Sequence, residues 1–222
     1  MEHPRIMGSD GRLVDTLAAV LAESGSAAHA FPGSSELLSG PDSIGNLADA
    51  LHFLCVLHGR APTLIDLVND RTPRGAASPW LDSAADGFGR ERLYLARLVV
   101  EAGPIPSTIG QPESEAAVLG QRHAFEMLAQ SERSGVAIGA AIGLVLDWWS
   151  IRTVLDHAGR RLGVETLPPC QLPRIEATMA LAGTLGSDAA AARAIGFGAQ
   201  QILVQHHGLW DLLAARRHAR AG

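Results

Sequence analysis

Apolar residues recur every three to four positions along most of the chain, and this spacing predicts helices. No stretch alternates apolar and polar residues for long enough to predict a strand. We therefore expect an all-α fold, a five- or six-helix bundle around one long central helix. The predicted helices span about 10–24, 43–58 with a short continuation to Val68, 87–102, 113–162, 174–183, and from Gly186 to about Ala219.

The long predicted helix, 113–162, has one acidic residue on its apolar side. At 100° per residue, Glu132 falls within a stripe of apolar and glycine positions. That stripe consists of Phe125, Leu128, Gly135, Gly139 and Gly143. A buried carboxylate requires a cation, a metal ion or a proton. Glu132 is therefore predicted to be an inward functional or ion-paired residue.

Glycines at positions 135, 139 and 143 lie on one face of the same helix. Each costs about 1 kcal/mol of helix propensity relative to alanine. Such a stripe of small residues allows close approach of a second backbone. A ligand lying along the groove is the alternative.

Two further predicted helices carry inward ionisable groups. His206 shares a face with apolar residues, and a neutral ring bonded to a carbonyl or carboxylate is the ordinary expectation. Its neighbour His207 points about 100° away and is expected to form a surface pair with Asp211. Glu91 also falls on an apolar face, and Arg92 is a candidate partner for Glu91 or Glu132.

Three more polar residues are ambiguous. Asp49 and His52 stand three positions apart on the second predicted helix, where they can reach the same object. Asp147 precedes two tryptophans and is expected to pair with Arg152 or to cap a kink.

Composition excludes several classes of function. The net charge of −5 argues against a nucleic-acid partner, which requires clustered positive charge. All 18 basic residues are arginine, so there is no lysine for a Schiff base, a pyridoxal phosphate anchor or a phosphate loop. No GxSxG, GxGxxG or HExxH sequence occurs.

Cellular location follows from the cysteines and the apolar runs. Cys55 and Cys170 are isolated thiols without CxxC spacing, as expected in a reducing cytoplasm. Residues 1–12 lack the apolar core of a signal peptide. The longest apolar run, 136–146, is too short to span a bilayer. We expect a soluble cytoplasmic protein without a membrane partner, with residues 1–41 packing on a bundle domain of residues 42–222.

A bundle with inward Glu and His from several helices resembles the ferritin-like superfamily. Its dimetal members supply one Glu from each of two helices and an ExxH motif from each of two others. The resemblance covers roughly residues 42–217 and implies Glu91, Glu132, His52 and His206 as metal ligands. It concerns the architecture, because Tyr94 and Gly135 stand where ExxH would place histidines after Glu91 and Glu132.

Two hypotheses of function follow. In the first, the inward charges form structural ion pairs in a module for structure, interaction or small-ligand binding. In the second, the four ligands implied by the resemblance hold iron, manganese or zinc, and the protein is an oxidoreductase or a metal store. A small-molecule ligand and a homodimer are compatible with either hypothesis.

Overall fold

The computed structural model describes residues 9–164 and 167–221, and within these ranges the protein is all-α. Nine α-helices and one short 3-10 helix are present in the described part, which has no strand. The α-helices are α1 (Ser9–Ser24), α2 (Ser35–Leu38), α3 (Ser43–His58), α4 (Leu64–Arg71), α5 (Ser78–Ala102), α6 (Gln111–Ala129), α7 (Val136–Arg161), α8 (Ile175–Leu185) and α9 (Ala189–Ala221). The 3-10 helix, Ser26–Ala28, follows α1.

The predicted helix over 113–162 is two helices, which corrects the sequence-based expectation. Helix α6 ends at Ala129, and α7 begins at Val136 after Gly135, whose φ of 94° lies in the left-handed region. Glycine adopts that conformation without the steric cost that a side chain imposes. Glu132 therefore lies in an exposed turn. The prediction that Glu132 points into the core is wrong.

Other helix boundaries also differ from the expected ones. Helix α5 begins at Ser78, nine residues before the predicted start at 87, with Pro79 in its first turn where a missing N–H has no cost. The predicted continuation to Val68 is a separate helix, α4. Thr63 and Asp66 form a capping box at its start.

Helix α7 lies in the core and contacts most of the other helices. Its closest neighbour is α9. A Cβ added to Gly139 would come within 2.7 Å of Ile195 Cα, and one added to Gly143 within 2.7 Å of Ala199 Cα. The expected close approach of a second backbone to these two glycines is confirmed.

By length and composition alone, α7 could also cross a membrane. However, 78% of its most apolar window is buried inside the protein, as in the core helix of a soluble protein. At the other end of the chain, α1 packs against α8 and α9, and the 3-10 helix contacts α7 and α9. The N-terminal segment therefore supplies part of the wall around the core.

Candidate functional site: a buried histidine pair beside a cavity

A continuous chain of hydrogen bonds crosses the core from the 3-10 helix to the end of α3. Asp147 on α7 accepts bonds from the Ser26 N–H (2.7 Å) and the Ser26 hydroxyl (2.6 Å). The same carboxylate lies 2.6 Å from Nδ1 of His206 on α9. Nε2 of His206 lies 3.1 Å from Nε2 of His58. All four residues are at most 4% exposed, so these bonds form away from bulk water.

Aromatic side chains surround the histidine pair. The rings of Phe88, Phe125 and Trp148 lie 5.1–5.8 Å from the His58 ring, centroid to centroid. Burial and the neighbouring His206 hold the pKa of His58 well below its usual value. His58 is therefore a neutral base at physiological pH.

His58 lies at the wall of a cavity of about 310 Å³ between the end of α3, α4 and α6. Leu57, Leu64, Leu67 and Phe125 supply apolar walls, and Arg60, Arg122 and Glu126 supply charge. Arg122 is half-buried and forms an i,i+4 ion pair with Glu126, in which 3.7 Å separates Nε from the carboxylate and no hydrogen bond forms. The cavity thus combines apolar surface, excess positive charge and one buried base.

A second buried polar group joins α5 to α7. Glu91 accepts bonds from Arg152 (2.6 Å) and from the Trp148 indole N–H (2.9 Å). Arg152 also donates to Asp156 (2.8 Å) and to the carbonyl of Pro168. Burial raises the pKa of Glu91, against the opposing effect of Trp148 and Arg152. Because a guanidinium does not lose its proton in proteins, its bond to Glu91 favours the ionised carboxylate and an ion pair.

Cys170 lies beside this ion pair. Burial raises the pKa of its thiol to about 11. A nucleophilic cysteine requires a lowered pKa. The thiol of Cys170 is therefore protonated at neutral pH, which disfavours a nucleophilic role.

A third buried network ties the end of α9 to α3. Asp49 accepts two bonds from Arg216, at 3.0 and 3.1 Å, and another from Arg220. Arg216 is 3% exposed and lies over the ring of Phe53. The paired cations neutralise the carboxylate, and the arrangement fixes helix packing.

The described residues also contain one cluster with metal-binding side chains: His29, His207 and Asp211, with ligand atoms within 4.8 Å of one another. Asp211 lies 3.1 Å from His29 Nε2, so the expected surface pair of His207 with Asp211 is replaced by His29 with Asp211. The Phe31 N–H donates to His29 Nδ1, which leaves the proton of the neutral ring on Nε2. A metal ion would have to displace that proton while Nδ1 still accepts a bond, and this chemistry disfavours the cluster as a metal site.

The structure does not bring together the four metal ligands implied by the ferritin-like resemblance. Glu91 and His206 are buried, as predicted, but Glu91 is paired with Arg152 and His206 with Asp147. His52 lies 2.8 Å from the Gly103 carbonyl, and Glu132 is exposed.

Two other partners proposed from sequence are different in the structure. Arg92 donates to the Gly59 carbonyl, so Arg152 and not Arg92 is the partner of Glu91. Asp147 binds Ser26 and His206, so it neither pairs with Arg152 nor caps a kink.

Sequence reasoning missed His58 entirely. It ends α3 directly before Gly59, where a basic residue is usual because it complements the helix dipole. One signal was available. His58 is six positions from His52 on the same helix and therefore lies about 120° away from it, on the side of Leu51 and Leu54.

Fold and site together define an all-α protein with a hydrogen-bonded histidine pair in its core, one ring of which borders a cavity. The chain belongs to the family of unknown function DUF6975, whose family model matches residues 21–221. No curated protein and no solved structure matches the chain.

Proposed function

We propose that the protein binds a small organic anion with an apolar body in the cavity beside His58. The observation that carries the proposal is the composition of the cavity wall. Two arginines, one glutamate, six apolar residues and a buried neutral histidine are among the residues that line one space of about 310 Å³. Small-molecule sites combine apolar walls with a few polar groups in this way.

Size and charge restrict the ligand. At about 30 Å³ for each water in the liquid, the cavity has the volume of roughly ten water molecules, which suits a compact acid with one ring or a short branched chain. Arg60 and Arg122 outnumber Glu126 by one positive charge. Arginine binds carboxylates well because its planar fork matches their two oxygens.

Phenylacetate is a suitable probe because it joins a carboxylate to one ring. We expect saturable binding, measured by calorimetry or ligand-observed NMR. Arg122→Gln should weaken it about tenfold, which corresponds to about 1.4 kcal/mol. The matched control is Arg90→Gln, because Arg90 is exposed and pairs with Asp86 outside the cavity. Absence of binding, or binding that is indifferent to Arg122, would overturn the proposal.

The remaining expectations stay predictions: a cytoplasmic location, no nucleic-acid or membrane partner, a homodimer, and the relation to ferritin-like proteins. None of them is required for the ligand to bind in this cavity. Binding to the purified chain alone tests the proposed function directly.

A further inference from the structure

We propose that Nδ1 of His58 accepts a hydrogen bond from a hydroxyl group of the bound anion, so that the ligand is a hydroxy acid. Ser26, Asp147 and His206 are positioning residues that fix the direction of the hydrogen bonds ending at His58. This inference rests on the proposed function, since it concerns the same cavity. It adds the class of ligand and the role of the buried chain.

The direction of the chain is set at its far end. The Trp210 indole can only donate, and it donates to Ser26 Oγ at 2.9 Å. The Ser26 hydroxyl proton is therefore directed to the Asp147 carboxylate, 2.6 Å away. Asp147 accepts this bond and the one from the Ser26 N–H. The carboxylate accepts from His206 as well, so the His206 proton lies on Nδ1.

The tautomer of His206 determines that of His58. A neutral His206 with its proton on Nδ1 has a lone pair on Nε2. His58 must then donate from its own Nε2 across the 3.1 Å separation. A neutral His58 with its proton on Nε2 has a lone pair on Nδ1. Nδ1 of His58 is therefore the acceptor available to a ligand, which fits the position of this ring at the cavity wall.

Mandelate and phenylacetate form a matched pair of probes, because they differ only in the hydroxyl group. We expect mandelate to bind about tenfold more tightly than phenylacetate to the unaltered protein. In His58→Phe this ratio should fall to about one, while His218→Gln, a change at an exposed histidine far along α9, should preserve it. Equal binding of the two probes to the unaltered protein would overturn the inference and leave the proposed anion site intact.

A second measurement needs neither a ligand nor a variant at His58. Imidazole nitrogen NMR of the free protein at pH 7 should show Nδ1 of His58 without a proton and Nδ1 of His206 with one. Asp147→Asn should change this pattern, because an amide N–H can oppose the His206 N–H. A proton on His58 Nδ1 in the unaltered protein would overturn the inference, whether or not phenylacetate binds.

Discussion

Two buried hydrogen-bond networks, one at Arg152 and one at Asp147, start from neighbouring turns of α7. They differ in the group at which each network ends. Arg152 uses Nε, Nη1 and Nη2 on Asp156, Glu91 and the Pro168 carbonyl. The chain from Asp147 instead runs through the ring of His206 to His58, which borders a cavity. In the first network the guanidinium bonds to three partners within the protein. The second network ends at a histidine that borders a cavity and can bind a ligand.

Trp148 separates the two networks and contacts both. Its indole N–H donates to Glu91, and its ring packs against His58 with centroids 5.1 Å apart. The comparison teaches that burial of charge by itself does not indicate a functional site. Glu91 and Arg152 satisfy each other, whereas His58 has a nitrogen left for a ligand.

The largest effect on stability is expected when the Glu91–Arg152 pair is broken. Arg152→Leu leaves the Glu91 carboxylate buried without its cation, and should lower the free energy of unfolding by about 3–5 kcal/mol. Urea unfolding measures this loss. Arg90→Leu is the control, since it breaks an exposed i,i+4 pair of about 0.3–0.5 kcal/mol.

A double variant, Glu91→Leu with Arg152→Leu, sharpens the same point. It removes both charges together and should be more stable than Arg152→Leu alone. If Arg152→Leu unfolds at the same urea concentration as the unaltered protein, the ion pair does not stabilise the fold.

The next largest effect is expected for a substitution between α7 and α9, which acts on the Asp147–His206 bond and not on the Glu91–Arg152 pair. A side chain at position 143 would meet the backbone of Ala199, so Gly143→Ala should separate α7 from α9. Overpacking should cost about 1–3 kcal/mol in unfolding experiments, despite the higher helix propensity of alanine. The 2.6 Å bond between Asp147 and His206 crosses this interface and should lengthen, whereas the Glu91–Arg152 pair joins α5 to α7.

Gly120→Ala is the control for this substitution. Gly120 lies within α6 with no other heavy atom near the added carbon, so the change should stabilise the protein by up to about 1 kcal/mol. Equal effects of the two substitutions would mean that α7 and α9 are not in close contact.

Local sequence patterns were sufficient for the fold class and for four inward positions. The all-α fold, the burial of Glu91 and His206, and the close approach at Gly139 and Gly143 all follow from helical phase. The break at residues 130–135 was not visible, because α6 and α7 each keep a helical pattern up to the turn. Because one helical phase was extrapolated across six non-helical residues, Glu132 was wrongly predicted to point inward.

Partners were harder to predict than positions. His206 lies 59 residues from Asp147 and 148 residues from His58, and Glu91 lies 61 residues from Arg152. Pairing at such separations depends on how the helices pack, which periodicity does not specify. The site was therefore predicted as separate inward residues, and the hydrogen-bonded chain required coordinates.

The pH dependence of stability tests the burial of His58 at the end of the hydrogen-bond network. Below about pH 6.5 His58 binds a proton in the unfolded chain, whereas burial and the neighbouring His206 oppose its protonation in the folded protein. The pKa of His58 is lowered by folding, so its contribution is present above about pH 6.5 and is lost as the pH falls. We expect a loss of about 1 kcal/mol between pH 7 and 5.5 in urea unfolding.

The control for the pH experiment is His58→Phe, which removes the titration of His58 and leaves the other eight histidines in place. Its stability should fall by about 1 kcal/mol less over the same pH range. Parallel pH profiles for the two proteins would show that His58 accepts protons equally well in the folded and the unfolded chain.

The smallest effect on stability is expected at Glu132. The experiment distinguishes an exposed Glu132 from one that binds a metal ion. An exposed carboxylate in a turn contributes little to stability. Glu132→Ala should therefore change the free energy of unfolding by less than about 0.5 kcal/mol. Metal analysis of the purified protein should give the same content before and after the substitution. A bound metal ion that disappears with Glu132→Ala would instead require this turn to fold inward, and would restore the ligand set implied by the ferritin-like resemblance. Because the turn from 130 to 135 is what places Glu132 outside, that single result would also contradict the separation of α6 from α7.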